Sequence, residues 1–142
     1  MYTFSPYLFF DGNCSDAMNF YRSCFGGELT ITKVEDTPMK NNVPKKDWMQ
    51  VMYSRLKSGP VDIAASDWLN TGREAKPGNM INLLLFGGTF DELKRVYDKL
   101  VDGASLVEPL KKEFFGIYGV LTDKFGVCWM FQGNAAPQAQ PS

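Results

Sequence analysis

The stretch "DAMNFYRSCFGG", Asp16 to Gly27, has a counterpart in "ELKRVYDKLVDG", Glu92 to Gly103, and this repetition decides the fold. Ala17, Phe20, Tyr21, Cys24 and Phe25 fall at i, i+3, i+4, i+7 and i+8, the apolar stripe of a helix lying on a core. Leu93, Val96, Tyr97, Leu100 and Val101 repeat it 76 positions later. Asn13 with Asp16, and the capping box Thr89 with Glu92, mark the two starts. Gly26 or Gly27, and then Gly103, mark the two ends.

Outward from each helix the pattern stays doubled. "PYLFFDGN" and "INLLLFGG" precede the helices as a strand and a turn. "ELTITKVE", "WMQVMYSRLK" and "VDIAAS" follow the first helix; "SLVEPLKK", "FFGIYGVLT" and "VCWMFQ" follow the second. These segments are rich in β-branched and aromatic residues. The order β-α-β-β-β, written twice, predicts an α+β fold of two modules within a single domain over residues 1–132. Module one spans about 4–67 and module two about 78–132. One helix covers one face of a small sheet, so the other face needs a partner or a ligand, and paired modules would enclose a cleft between curved mixed sheets. In the last strand, alternation sends Trp129 and Phe131 beneath the helix and Cys128, Met130 and Gln132 to the opposite face, which Asn82, Leu84 and Phe86 share. The segments Asp36 to Asp47 and Asp67 to Asn79 read as polar loops, and residues 133–142 as a flexible tail.

Composition narrows the function classes. The 142 residues carry a net charge of −1 with scattered basic residues, which gives no footprint for nucleic acid or an anionic membrane. The longest uncharged central run, Pro77 to Thr89, is too short and polar to span a bilayer, and "MYTFSPYLFF" lacks the features of a secretory signal. A cytoplasmic protein is expected. Cys14, Cys24 and Cys128 form no CxxC, and ten helical positions put Cys14 roughly 15 Å from Cys24, so reduced thiols are expected. A thiol in the first turn of a helix is activated by the dipole and quieted by apolar burial, which leaves Cys14 open between a nucleophilic role and packing. "FGG" at Phe86 to Gly88 reads as a strand-to-helix turn in preference to a phosphate cradle. Asp11, Asp62, Asp67, Glu108 and Asp123 read as strand-end or turn carboxylates, most of them solvated turn formers or caps, with no spacing that demands catalysis.

The doubled modules with "FY" on the first helix resemble the vicinal oxygen chelate superfamily of glyoxalases, bleomycin-resistance proteins and extradiol dioxygenases. "PYLFFDGNCSDAMNFYRSCFGGEL", "VMYSRLKSG", "ASDW" and "FGIYGVLTDKFGVCWMF" resemble its PhnB-like branch, over about residues 5–132. The resemblance implies a fold like that of the glyoxalase/bleomycin resistance/dihydroxybiphenyl dioxygenase group. It also implies a homodimer, with strands or modules exchanged between copies. Metalloenzymes of the superfamily hold a divalent ion with His, Glu or Gln from inner strands, whereas this chain has no histidine. By register the corresponding positions fall near Pro6 or Tyr7, near Asn82 and near Met130, which are poor donors for a hard ion. Many PhnB-like relatives have histidine and glutamate where this chain has Tyr53 and Arg55. That pair shares one strand face and suits an anionic or carbonyl-bearing ligand, or else belongs to a surface with no remaining role.

The expectation is a metal-independent binder of a small organic molecule, without cofactor, with Tyr7, Tyr53, Arg55, Trp68, Asn82, Phe115, Tyr118 and Met130 as candidate ligand-binding residues. The alternatives are a glyoxalase-, dioxygenase- or thiol-transferase-like enzyme with a non-standard divalent metal site, and an interaction protein whose cavity is filled. Some relatives of the branch carry a demethylubiquinone methyltransferase label, but no glycine-rich turn of a methyl-donor site follows the first strand. No catalytic residue is assigned.

Overall fold

The computed structural model describes residues 1–69 and 72–134. The chain divides into two compact units, residues 1–76 and the residues from 77 onward, each with one helix and one sheet. The first unit contains β1 (Tyr7–Phe10), α1 (Cys14–Phe25), β2 (Glu28–Lys33), β3 (Val51–Ser58) and β4 (Val61–Asp67). The second contains β5 (Leu83–Phe86), α2 (Phe90–Leu100), β6 (Leu106–Glu113), β7 (Gly116–Thr122) and β8 (Cys128–Gly133). The strand orders are β1-β4-β3-β2 and β5-β8-β7-β6, the same arrangement twice. In each sheet the first strand runs parallel to the last and the other pairings are antiparallel. The result is the expected α+β fold of two βαβββ modules with mixed sheets.

Each helix lies on one face of its sheet. In α1 the buried residues are Cys14, Ala17, Met18, Tyr21 and Cys24. The stripe is therefore rotated from the expected one: Met18 is fully buried, while Phe20 and Phe25 are half-buried at its edge. Burying each large side chain contributes roughly 1.5–3 kcal/mol, so Met18 and Tyr21 are principal anchors of this helix. In α2, Leu93, Tyr97 and Leu100 are buried, with the Tyr97 ring edge-on to Phe131 at 5.3 Å. Trp129 and Phe131 do lie on the helix side of β8, 1% and 0% exposed.

The helix starts differ. Thr89 and Glu92 form the capping box read from the sequence, with both reciprocal bonds present. Asn13 makes no side-chain cap. Its place is taken by Asp67 at the end of β4, whose buried carboxylate accepts from the Cys14 amide at 2.9 Å and from the Val51 amide at 2.8 Å. Asp67 is thus a cap supplied from 53 positions away and a tie between α1 and β3, not a solvated turn residue. Gly26 closes α1 with φ 74°, and the Gly27 backbone runs so close to Lys57 and Ser58 that a side chain there would clash.

Other boundaries shift. β3 begins at Val51, leaving Trp48 to Gln50 in a turn. The segment expected as a plain loop from Asp36 folds into short 3-10 turns at Pro38–Asn42 and Lys45–Asp47, held by the Trp48 indole donating to the Lys40 carbonyl at 3.0 Å. Asp123 is a buried turn carboxylate: it accepts from the Phe125 and Val127 amides and, at 2.8 Å, from the Trp129 indole. In the loop after β4, residues 70–71 lie outside the described residues, as do residues 135–142 of the expected flexible tail.

Candidate functional site

Period-two alternation assigns each sheet a second, open face. In the first module this face is built in rows. Tyr7 pairs with Ala64, and Ala64 with Arg55; one row further, Phe9 stands beside Ser66, and alternation puts Tyr53 on the same face of β3 as Arg55. The central strand β4 thus presents two small residues, Ala64 and Ser66, between a ridge of Tyr7 and Phe9 on β1 and a ridge of Tyr53 and Arg55 on β3. Tyr7, Phe9 and Tyr53 are 44%, 57% and 42% exposed, while Ala64 and Ser66 are buried between them. Strands sit about 4.8 Å apart, so the two ridges are roughly 10 Å apart.

Trp68, the next open-face position after Ser66, bounds the trough at one end. It meets Phe9 edge-on at 5.2 Å, and Phe9 in turn lies 5.0 Å from Tyr7. The Arg73 guanidinium covers the Trp68 ring at 5.5 Å, and the Trp68 indole donates to the Arg73 carbonyl at 2.8 Å. Asp62 bounds the other end. Its carboxylate accepts from Arg55 Nε at 2.8 Å and Nη2 at 2.6 Å, a bidentate pair. Arg55 holds the Asp62 carboxyl below its ordinary range, and Asp62 holds the guanidinium protonated. The positive charge at Arg55, expected to serve an anionic or carbonyl-bearing ligand, is matched within the module by Asp62 near the start of β4. A depression of about 90 Å³ beside the trough, lined by Glu28, Thr30, Arg55 and Lys57, is too small for an organic ligand.

The second module fills the same place. Leu84 pairs with Met130 and Met130 with Val120; Phe86 pairs with Gln132 and Gln132 with Tyr118. The central strand β8 presents Met130 and Gln132, their side chains 3.5 Å apart, where β4 presents alanine and serine. Tyr118 shares a hydrogen bond with Glu108, and its pKa is raised, mainly by desolvation. Phe115 lies in the β6–β7 turn, 6.2 Å from Tyr118 and stacked edge-on with Phe114. Asn82 is exposed and sits before β5, whose ladder begins with Leu83 opposite Trp129; it does not extend the strand as expected.

Of the residues singled out from the sequence, Tyr7, Tyr53, Arg55 and Trp68 converge on one face of the first module. Tyr118 and Met130 share the open face of the second, with Phe115 at its turn and Asn82 outside its strand. Phe9, Asp62, Ala64 and Ser66 went unassigned to any site. The signal for the last two was present in "VDIAASD", where small residues recur two apart, but their position between two aromatic ridges depends on strand order.

Cys14 Sγ lies 3.6 Å from Ser54 Oγ, which donates to the Ala65 carbonyl at 2.8 Å. Burial pushes the thiol up to about 11, against a smaller opposing effect of Ser54, so desolvation outweighs the helix terminus. All three cysteines are buried thiols outside any disulfide.

The sequence profile of the 3-demethylubiquinone-9 3-methyltransferase family matches residues 2–132. The chain belongs to this PhnB-like family. It is similar to Protein YjdN of Escherichia coli (strain K12), 30% identical over 139 residues that cover 89% of this chain and 91% of the relative. Among solved structures, protein PA1353 from Pseudomonas aeruginosa is 29% identical with a TM-score of 0.82, covering 96% of this chain and 100% of that one. A PhnB protein from Bacillus cereus is 25% identical with a TM-score of 0.69, covering 93% and 99%. The fosfomycin resistance protein FosX from Listeria monocytogenes, in complex with Mn(II) and sulfate, is 9% identical with a TM-score of 0.61, covering 94% and 93%, a likeness of fold.

The donors of this PhnB-like chain do not suit a divalent ion. The open faces offer phenols, a guanidinium, a thioether, an amide and the lone carboxylate of Glu28 beside Lys57, and the carboxylates of Asp62 and Glu108 are already engaged. Among the described residues no three His, Cys, Asp or Glu side chains gather into an ion-holding group.

Proposed function

We propose that the protein binds a small organic molecule without a metal ion, using the open faces of its sheets, in the cytoplasm and as a homodimer. The observation that carries this reading is the exposed aromatic surface on the sheet face that the helix leaves bare, where Tyr7, Phe9 and Tyr53 stand over small side chains. Exposed apolar surface of this kind on a rigid sheet favours a ligand or a partner. The candidate residues Tyr7, Tyr53, Arg55 and Trp68 supply this surface in the first module. Asn82, Phe115, Tyr118 and Met130 are the candidates in the second. The homodimer reading is supported by the edge strands, β1 and β2 in one sheet and β5 and β6 in the other, whose free backbone groups a second copy would cover, with strands or modules exchanged.

The family description names methyl transfer to a demethylubiquinone. A glycine-rich donor turn is missing after β1, where the chain reads Asp11-Gly12-Asn13 before α1, so binding is preferred over that chemistry. The test is native mass spectrometry with elemental analysis, followed by thermal-shift screening against metals and metabolites. The expected result is a metal-free dimer stabilised by one class of organic compound. A stoichiometric ion that survives chelation, or turnover of a glyoxalase, dioxygenase, thiol-transferase or methyl-transfer substrate, would replace the binder reading with an enzymatic one.

A further inference from the structure

We infer that β2, the outer strand of the first module's sheet, is where two copies of this chain meet, each β2 pairing antiparallel with the other about Thr30. This inference rests on the homodimer proposed above and assigns it one edge and one register.

The four edge strands are not equally open to pairing. β6 carries Pro109, Lys111 and Lys112, with a register shift between Glu108 and Lys111, and such features keep a further strand away. β1 and β5 have four residues each, short edges that offer a neighbour few bonds. β2 has six, Glu28–Lys33, and its centre, Leu29-Thr30-Ile31-Thr32, holds neither a charge nor a proline. Its register with β3 is regular from Glu28 to Thr32. Among the described residues no turn or loop backbone group bonds to residues 28–33, which leaves the outer side of β2 to a partner strand.

The register follows from symmetry. A second copy that extends the sheet about a two-fold axis keeps helix side with helix side, so only side chains of the same face can stand opposite each other. Leu29 and Ile31 lie opposite the buried Leu56 and Ser54, on the helix side, and both are half-buried. Thr30 lies opposite Arg55 on the open side and is exposed. An axis through Thr30 sets Leu29 against the partner's Ile31, which completes a half-covered apolar row, and joins the two Thr30 side chains, a favourable cross-strand pair. An axis through Ile31 would set Leu29 against a lysine. Charge selects the antiparallel sense: Glu28 opens the strand and Lys33 closes it, so the acidic end of each copy meets the basic end of the other.

Sedimentation velocity and cysteine cross-linking of the full chain provide the test. Directly opposed residues of an antiparallel pair have Cα atoms roughly 5 Å apart, within disulfide reach, whereas the two Glu28 positions of this register are about 14 Å apart. The native thiols are buried. With diamide as oxidant, Thr30→Cys should give a covalent dimer on a non-reducing gel, and Glu28→Cys should give almost none. Thr30→Lys, which sets like charges face to face, should shift the equilibrium at least about fivefold toward monomer, whereas Leu106→Lys on β6 should leave it nearly unchanged. A dimer in which Glu28→Cys cross-links as readily as Thr30→Cys, or which Thr30→Lys leaves intact, overturns the assignment to β2 and leaves the homodimer standing. A wild-type chain that sediments as a monomer at every concentration ends both.

Discussion

The two modules share strand order, pairing pattern and a helix over one face, and they differ most on the strand at the centre of each sheet. Aligning "MYSRL" of β3 with "IYGVL" of β7 brings Tyr53 onto Tyr118 and the fully buried Leu56 onto Leu121. Following the ladders outward, Arg55 then corresponds to Val120, Asp62 to Cys128, Ala64 to Met130, Ser66 to Gln132 and Asp67 to Gly133. On one side of the duplication the central strand is small and flanked by an arginine–aspartate pair; on the other it is large, and valine and cysteine stand where that pair does. Backbone architecture can be duplicated faithfully while the side chains that decide where a ligand fits diverge.

The largest expected effect concerns the helix starts. Asp67→Ala removes an acceptor shared by two buried amides and should cost about 3 kcal/mol or more in chemical denaturation, with Asp67→Asn costing roughly half. A cost under about 1 kcal/mol for Asp67→Ala would mean that the first module does not depend on its long-range cap. Next comes pH. The Cys14 thiol stands at about 11 in the folded protein against an ordinary 9.0. Because the folded value is the higher, the stabilising contribution is complete below pH 9 and disappears as pH rises through 11. Equilibrium unfolding of the wild type and Cys14→Ala across that window should show their difference shrinking by an amount of order 2 kcal/mol. In the same comparison, iodoacetamide should leave Cys14 unmodified in the folded protein at pH 8.

The second module's local cap predicts a smaller loss. Thr89→Ala should cost about 1 kcal/mol, whereas Asn13→Ala, at the matching position of the first module, should cost almost nothing, since Asn13 makes no capping bond. Equal losses would erase the contrast between the two starts. Smallest of all, Asp62→Asn breaks a partly exposed ion pair and should leave the denaturation midpoint almost unchanged.

These contrasts also explain what could be read from the chain beforehand. The βαβββ repeat was legible because helix stripes and strand alternation are local periodicities, and the Thr89–Glu92 box is complete within four residues. The cap on α1 was not, since nothing near Asn13 announces a carboxylate arriving from β4. The trough was half legible. Tyr7, Tyr53, Arg55 and Trp68 stood out as chemistry-bearing residues, but the floor they surround exists because β4 inserts between β1 and β3 through a parallel pairing. The ion pair of Arg55 was not legible for the same reason: its partner Asp62 is seven residues away across a hairpin, in a register the sequence did not declare. Asn82 was placed on a strand by alternation alone, whereas the ladder starts one residue later.

The most direct test is native mass spectrometry of the purified full chain with elemental analysis, before and after chelation, followed by thermal shift. The account predicts a metal-free protein whose melting temperature rises with an organic compound and not with a divalent ion. A stoichiometric ion that survives chelation would contradict it.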